Sequence, residues 1–170
     1  MANRKRQLVA WTRGGQVRML PSLVQESAQP FIQRIDDLEN SRPHNFQEQP
    51  RYLISLSHAY EALGRFYERF GHIREAFDAF VQAAVTVTRA DEYYWSDCDE
   101  GFILDSPFRE RFFAVYGHCR KMLREHPALK DTPACEALLH GYRRLTAVTD
   151  SWHREMDEIR EANRAWRFGA

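Results

Sequence analysis

Residues 63–84 read LGRFYERFGHIREAFDAFVQAA, and the fold turns on how Gly64 and Gly71 sit within them. Leu53, Leu56, Tyr60, Leu63, Tyr67 and Phe70 recur at spacings of three and four, which is one face of a helix. Gly71 then supplies the stop that helix C-termini favour. Ile73, Ala76, Phe77, Phe80, Ala84 and Val87 form the stripe of a second helix. Only about two residues, Gly71 and His72, link them, so the two helices are expected as antiparallel neighbours. Gly64 lies inside the first helix, where glycine costs about 1 kcal/mol relative to alanine. Such a residue is tolerated where a second helix comes too close for a side chain. Ala76 and Ala83 make matching hollows on that second helix, and Tyr60, Leu63, Tyr67 and Phe80 are the knobs. Gly64 therefore reads as a packing residue, neither a hinge nor a phosphate loop.

The series Tyr60-x2-Leu63-Gly64-x2-Tyr67, then eight residues, then Ala76-x3-Phe80-x2-Ala83 resembles the tetratricopeptide repeat. It covers residues 57–90, about a fifth of the chain. It departs from the family at Tyr60, where Trp is commonest, and at Thr88, where a closing Pro is usual. Tyr116-Gly117 and Ala134-x3-Leu138-x2-Gly141 make a degenerate second copy, with a longer connection and Arg120 where Tyr is expected. The resemblance implies an all-α, antiparallel helix-hairpin array with its hairpin over 50–89. One or two repeats are fewer than the three or so that a free-standing solenoid needs. Flanking helices are therefore expected to complete a small bundle or short solenoid within 21–170, or a second copy of the chain covers the open faces.

Around this centre the pattern is uneven. Residues 1–20 carry five basic and no acidic side chains and read as an N-terminal arm, flexible or loosely docked. Gly14-Gly15 gives them a weak hairpin signal. Val24, Ala28, Phe31, Ile35 and Leu38 mark a helix that either kinks at Pro30 or restarts there. Residues 41–50 read as a loop. Residues 91–105, DEYYWSDCDEGFILD, hold six acidic side chains and no basic one. Ser106-Pro107 and Thr132-Pro133 are helix starts. Phe108, Phe112, Val115, Cys119 and Met122 form the stripe after the first. Leu138, Tyr142, Leu145, Thr149, Trp152, Met156, Ile159, Asn163 and Trp166 form the stripe after the second. That last stripe is either one helix of about 50 Å at 1.5 Å per residue or two helices broken near Thr146–Ser151.

Composition excludes more than it selects. The 170 residues balance 24 basic against 24 acidic side chains, so net charge favours neither nucleic acid nor an anionic membrane. No apolar run approaches the roughly 20 residues of a membrane span. The three cysteines lack paired spacing, which argues against a disulfide framework or zinc site and for a reducing, cytoplasmic setting.

The resemblance implies a non-catalytic protein-binding module or adaptor, with a peptide or protein held on the first helix of the pair. The candidate contacts there are His58, Arg65 and Arg69, the two arginines four residues apart on one face. Tyr94 and Trp95, among the acidic residues, are a second candidate docking surface, for a basic partner. The alternatives are self-association through the C-terminal stripe as a homodimer, and nucleic-acid contact through the basic arm. No catalytic residues, cofactor or metal ligands are expected. Asp97-x-Asp99-x-Gly101 lacks the distal Glu of a calcium loop, and Glu-x-x-x-His pairs replace the Glu-x-x-His of di-iron bundles.

Overall fold

The computed structural model describes the backbone of residues 11–13, 16–18, 21–95 and 107–168. Side chains are described for 23–45, 47–89, 108–146, 154 and 157–161. The chain is all-α apart from one short hairpin. Strands β1 (Trp11–Arg13) and β2 (Gln16–Arg18) pair antiparallel, Trp11 opposite Arg18, around the Gly14-Gly15 signal. Among the described residues the α-helices are α1 (Pro21–Asn40), α2 (Gln49–Arg69), α3 (Ile73–Trp95), α4 (Pro107–Glu125) and α5 (Pro133–Phe168).

The turn between α2 and α3 forms for a local reason. Gly71 adopts φ +76°, a left-handed conformation that only glycine takes at little cost. Its N–H donates to the Glu68 carbonyl at 3.0 Å, and the His72 N–H donates to the Tyr67 carbonyl at 3.0 Å. These crossed bonds are a Schellman end, which satisfies the last carbonyls of α2 and reverses the chain within two residues. Thr132 starts α5 similarly, its Oγ1 accepting the Cys135 N–H at 3.3 Å.

Packing is organised around α3. Ala76, Phe77, Ala79, Phe80, Val81, Ala83, Ala84 and Val87 are all buried, so α3 buries a broad apolar face and leaves a narrower polar stripe of Arg74, Asp78, Gln82 and Arg89 exposed. It lies against α2, α4 and α5, while α1 lies against α2. The α4 stripe is buried at every expected position, Phe108, Phe112, Val115, Cys119 and Met122. Gly64 is a close-approach position: a Cβ there would lie 3.1 Å from three carbons of the Phe80 ring. Two turns earlier on the same face of α2, Ser57 is fully buried, and its hydroxyl donates to the Ala83 carbonyl of α3 at 2.9 Å.

Some boundaries decide between alternatives that the sequence leaves open, and others differ from its expectation. α1 runs continuously through Pro30, and Pro30 is exposed. α3 continues to Trp95, into the acidic stretch, because no Gly or Pro interrupts residues 73–95. Pro43 and Gln49 close the loop before α2, the Gln49 Nε2 donating to the Pro43 carbonyl. α5 is one helix of 36 residues, about 54 Å long at 1.5 Å per residue. It runs on through Thr146, whose hydroxyl donates back to the Tyr142 and Arg143 carbonyls at 3.0 and 3.1 Å and so finds its partner within the helix.

The second helix pair departs from the first. A Cβ at Gly117 would meet nothing within 4 Å, unlike one at Gly64. Tyr116 and Tyr142 stack face to face between α4 and α5, ring centroids 4.6 Å apart and planes 10° apart. The longer connection is a 3-10 turn, Pro127–Asp131, anchored by buried Leu129. Gly141 is nearer to a packing role, since a Cβ there would approach Thr88 Cγ2 of α3 at 3.4 Å.

Candidate functional site

A cavity of about 610 Å³ opens between α2 and α4, above α3. Its floor is Phe80 from α3 and Val115 from α4, both largely buried. Its walls are charged: Glu61, Arg65 and Glu68 from α2, and Glu110, Arg111 and His118 from α4. Ala114 faces the cavity from the middle of the α4 wall and is exposed.

Two polar rungs join the walls. In the first, Arg111 Nη2 donates to Glu61 Oε2 at 2.8 Å, and Arg111 Nε donates to Ser57 Oγ at 3.2 Å. Ser57 thus ties α2, α3 and α4 together at one hydroxyl. In the second, His118 Nε2 lies 3.1 Å from Glu68 Oε1, with its ring centroid 4.5 Å from that of Phe80. Each rung joins residues fifty apart in sequence. Residue numbers therefore advance together on both walls, so α2 and α4 run parallel with α3 between them.

Glu61 is the electrostatic centre. Its Oε1 accepts Arg65 Nε at 3.0 Å and Arg65 Nη2 at 2.6 Å, while Oε2 is held by Arg111. Burial pushes the Glu61 carboxyl up, but the two guanidinium groups outweigh it and hold it below the usual carboxylate value. Arg111 and Glu61 are each 17 % exposed, whereas Arg65 is 73 % exposed. His58, one residue from Ser57, is pushed below the usual imidazole value by burial and then by the Arg111 charge.

Of the expected contacts, Arg65 lines the cavity; His58 and Arg69 do not. The Arg69 guanidinium carbon sits 6.0 Å from the Phe70 ring centroid, nearer the end of α2. The side chains of Tyr94, Trp95, Trp152 and Trp166, and residues 96–105 of the acidic stretch, lie outside the described residues. The repeat-motif residues hold the walls. Tyr60 donates to Glu39 Oε1 of α1 at 2.8 Å, and burial followed by that bond lifts its hydroxyl to about 12. Leu63, Ala76, Phe80 and Ala83 are buried, and Tyr67 is half-buried beside His72.

Ser57, Glu110, Arg111 and His118 were not singled out as contacts from sequence. A signal existed: Glu61 and Glu68 are seven apart on one helix, as are Arg111 and His118 on another. Two turns of helix return a side chain to nearly the same face.

Among the described residues no three His, Cys, Asp or Glu side chains converge to hold a metal ion. Among them, too, no helix is long and apolar enough to cross a membrane. Comparison with protein-family models, curated proteins and solved structures finds no match to this chain.

Proposed function

We propose that the chain is a non-catalytic protein-binding module built on a tetratricopeptide-like helix pair, and that it holds a segment of another protein between α2 and α4. The observation that carries this reading is the cavity itself. It has an apolar floor, charged walls on two parallel helices, and one small side chain, Ala114, at mid-wall. A concave site with an apolar base and a few placed polar groups suits a side chain with a polar end. The Gly64–Phe80 contact supports the family reading, because it gives the motif glycine a steric reason.

The test is a plug. Ala114→Trp would fill the cavity from an exposed position without disturbing the core. A pull-down with mass spectrometry compares wild type with this variant, after circular dichroism has established equal helicity. A protein recovered by wild type and lost by Ala114→Trp supports the reading. Equal recovery by both removes the cavity from consideration.

A second reading is self-association through α5. Arg154, Asp157, Glu158, Ile159, Arg160 and Glu161 are all exposed, Ile159 at 47 %. Sedimentation equilibrium of wild type beside Ile159→Lys tests it: a dimer dissociated by the substitution supports it, and a monomer in both sinks it.

A further inference from the structure

We infer that the cavity takes an acidic side chain flanked by apolar residues, and that Glu61 is a built-in competitor for it at Arg65. This rests on the protein-binding reading above and adds to it the chemistry of the occupant and a residue that sets its affinity.

The two arginines at Glu61 are not equivalent. Arg111 is mostly buried and fixed at two atoms, Nε on Ser57 and Nη2 on Glu61. Arg65 reaches back one turn from an exposed position and places both Nε and Nη2 on the single oxygen Oε1. A guanidinium fork is matched by the two oxygens of a carboxylate, one per N–H. Glu61 cannot offer both, because Arg111 holds Oε2. Arg65 is therefore left in a pairing poorer than its geometry allows. Arg65 is 73 % exposed and grips Glu61 through one oxygen only, so it can turn to a better acceptor. Glu61 meanwhile keeps its charge and its bond to Arg111.

The neighbouring charges limit what that acceptor can be. Glu68 and Glu110 also line the cavity. Glu68 already faces His118, and two wall carboxylates repel a run of acidic residues. One acidic side chain fits better, its stem over Ala114 and Val115 and its carboxylate on Arg65. Glu61→Gln keeps an oxygen for Arg111 to donate to, and it removes the competing charge from Arg65.

The experiment uses the whole chain and acetyl-Leu-Glu-Leu-amide as probe, with the Gln and Lys analogues beside it. Binding is followed by NMR through the Arg65 Nε–H and the Ala114 amide, up to millimolar peptide. The Glu peptide is expected to shift both signals and the Lys peptide neither. Glu61→Gln, with its melting temperature measured alongside, should tighten the Glu peptide by roughly two- to fivefold. Arg65→Gln in that background should remove the gain. Equal binding of the Glu and Gln peptides refutes the anion chemistry while leaving the cavity standing. Shifts at Arg65 without any at Ala114, unaffected by Ala114→Trp, refute the cavity reading instead. No shift in Glu61→Gln at millimolar Glu peptide overturns the inference.

Discussion

Replacing Gly64 by alanine sets two known effects against each other. Helix propensity favours alanine by about 1 kcal/mol. The new methyl, however, would lie 3.1 Å from three carbons of the Phe80 ring. The ring must yield by a few tenths of an ångström. It has little room, being buried at 2 % exposure with the His118 ring 4.5 Å away on the α4 side. Overpacking a filled core costs about 1–3 kcal/mol, so Gly64→Ala should lose about 1 kcal/mol net. Gly117 is the internal control. It is also mid-helix, but a Cβ there meets nothing within 4 Å. Gly117→Ala should therefore gain about 1 kcal/mol. For a chain of this size 1 kcal/mol moves the melting temperature by about 2–4 °C. The two variants should thus melt about 4–8 °C apart, on opposite sides of wild type, when followed by far-ultraviolet circular dichroism. If Gly64→Ala melts at or above Gly117→Ala, the close approach of α2 to α3 is wrong, and the packing reason for the motif glycine goes with it.

Gly71→Ala, which puts a side chain at φ +76°, should destabilise by about 1–2 kcal/mol in a urea melt; an unchanged midpoint contradicts the Schellman turn. The Cys119 thiol, pushed up to about 12 chiefly by burial, should resist iodoacetamide at pH 8 in the native state and react once the chain is unfolded, as read by peptide mass spectrometry. Rapid native labelling at that position would count against its burial. Glu61, whose carboxyl is held low, contributes stability that is present above its unfolded value of about 4.5 and lost as pH falls through its folded value. Urea melts of wild type should therefore weaken on acidification below about pH 4.5, and Glu61→Gln should weaken less over that interval. For His58, also lowered, the unfolded chain takes up the proton first, so stability falls as pH drops through 6.5; His58→Gln should flatten that part of the profile.

The helices were legible because burial follows the helical period. Every stripe position of α4 named from sequence is buried, and the α2–α3 turn follows from a single glycine. Gly64 was readable as a contact because its cost in a helix demands a neighbour. Gly117 differs in having no close partner; the stacked Tyr116 and Tyr142 lie between the α4 and α5 backbones. Arg65 and Arg69 looked equivalent, four apart on one face. Only Arg65 lines the cavity, while Arg69 lies over Phe70. The rungs were hidden for a different reason. Glu61 and Arg111 are fifty residues apart, and nothing local to either says that the other will face it. Helix α3 continued past the acidic boundary because clustered charge does not by itself end a helix; the absence of Gly and Pro decided it.

The two rungs have a mechanical consequence. Each wall of the cavity is a stiff rod, and the attachment points on both rods are seven residues apart. Sliding one rod along the other therefore stretches both rungs by the same amount at the same moment. A partial slip gains nothing, and even a slip of two helical turns, about 11 Å at 5.4 Å per turn, would re-form only one of the two rungs. Shear between the walls is in effect quantised. Spreading is not, since either end can widen while the other stays pinned, as a hinge opens about its pin. Ser57, bonded to both Arg111 and α3, makes the first rung the pin. Among the described residues the His118 end, held by one side-chain pair alone, is the one with fewer ties across the walls.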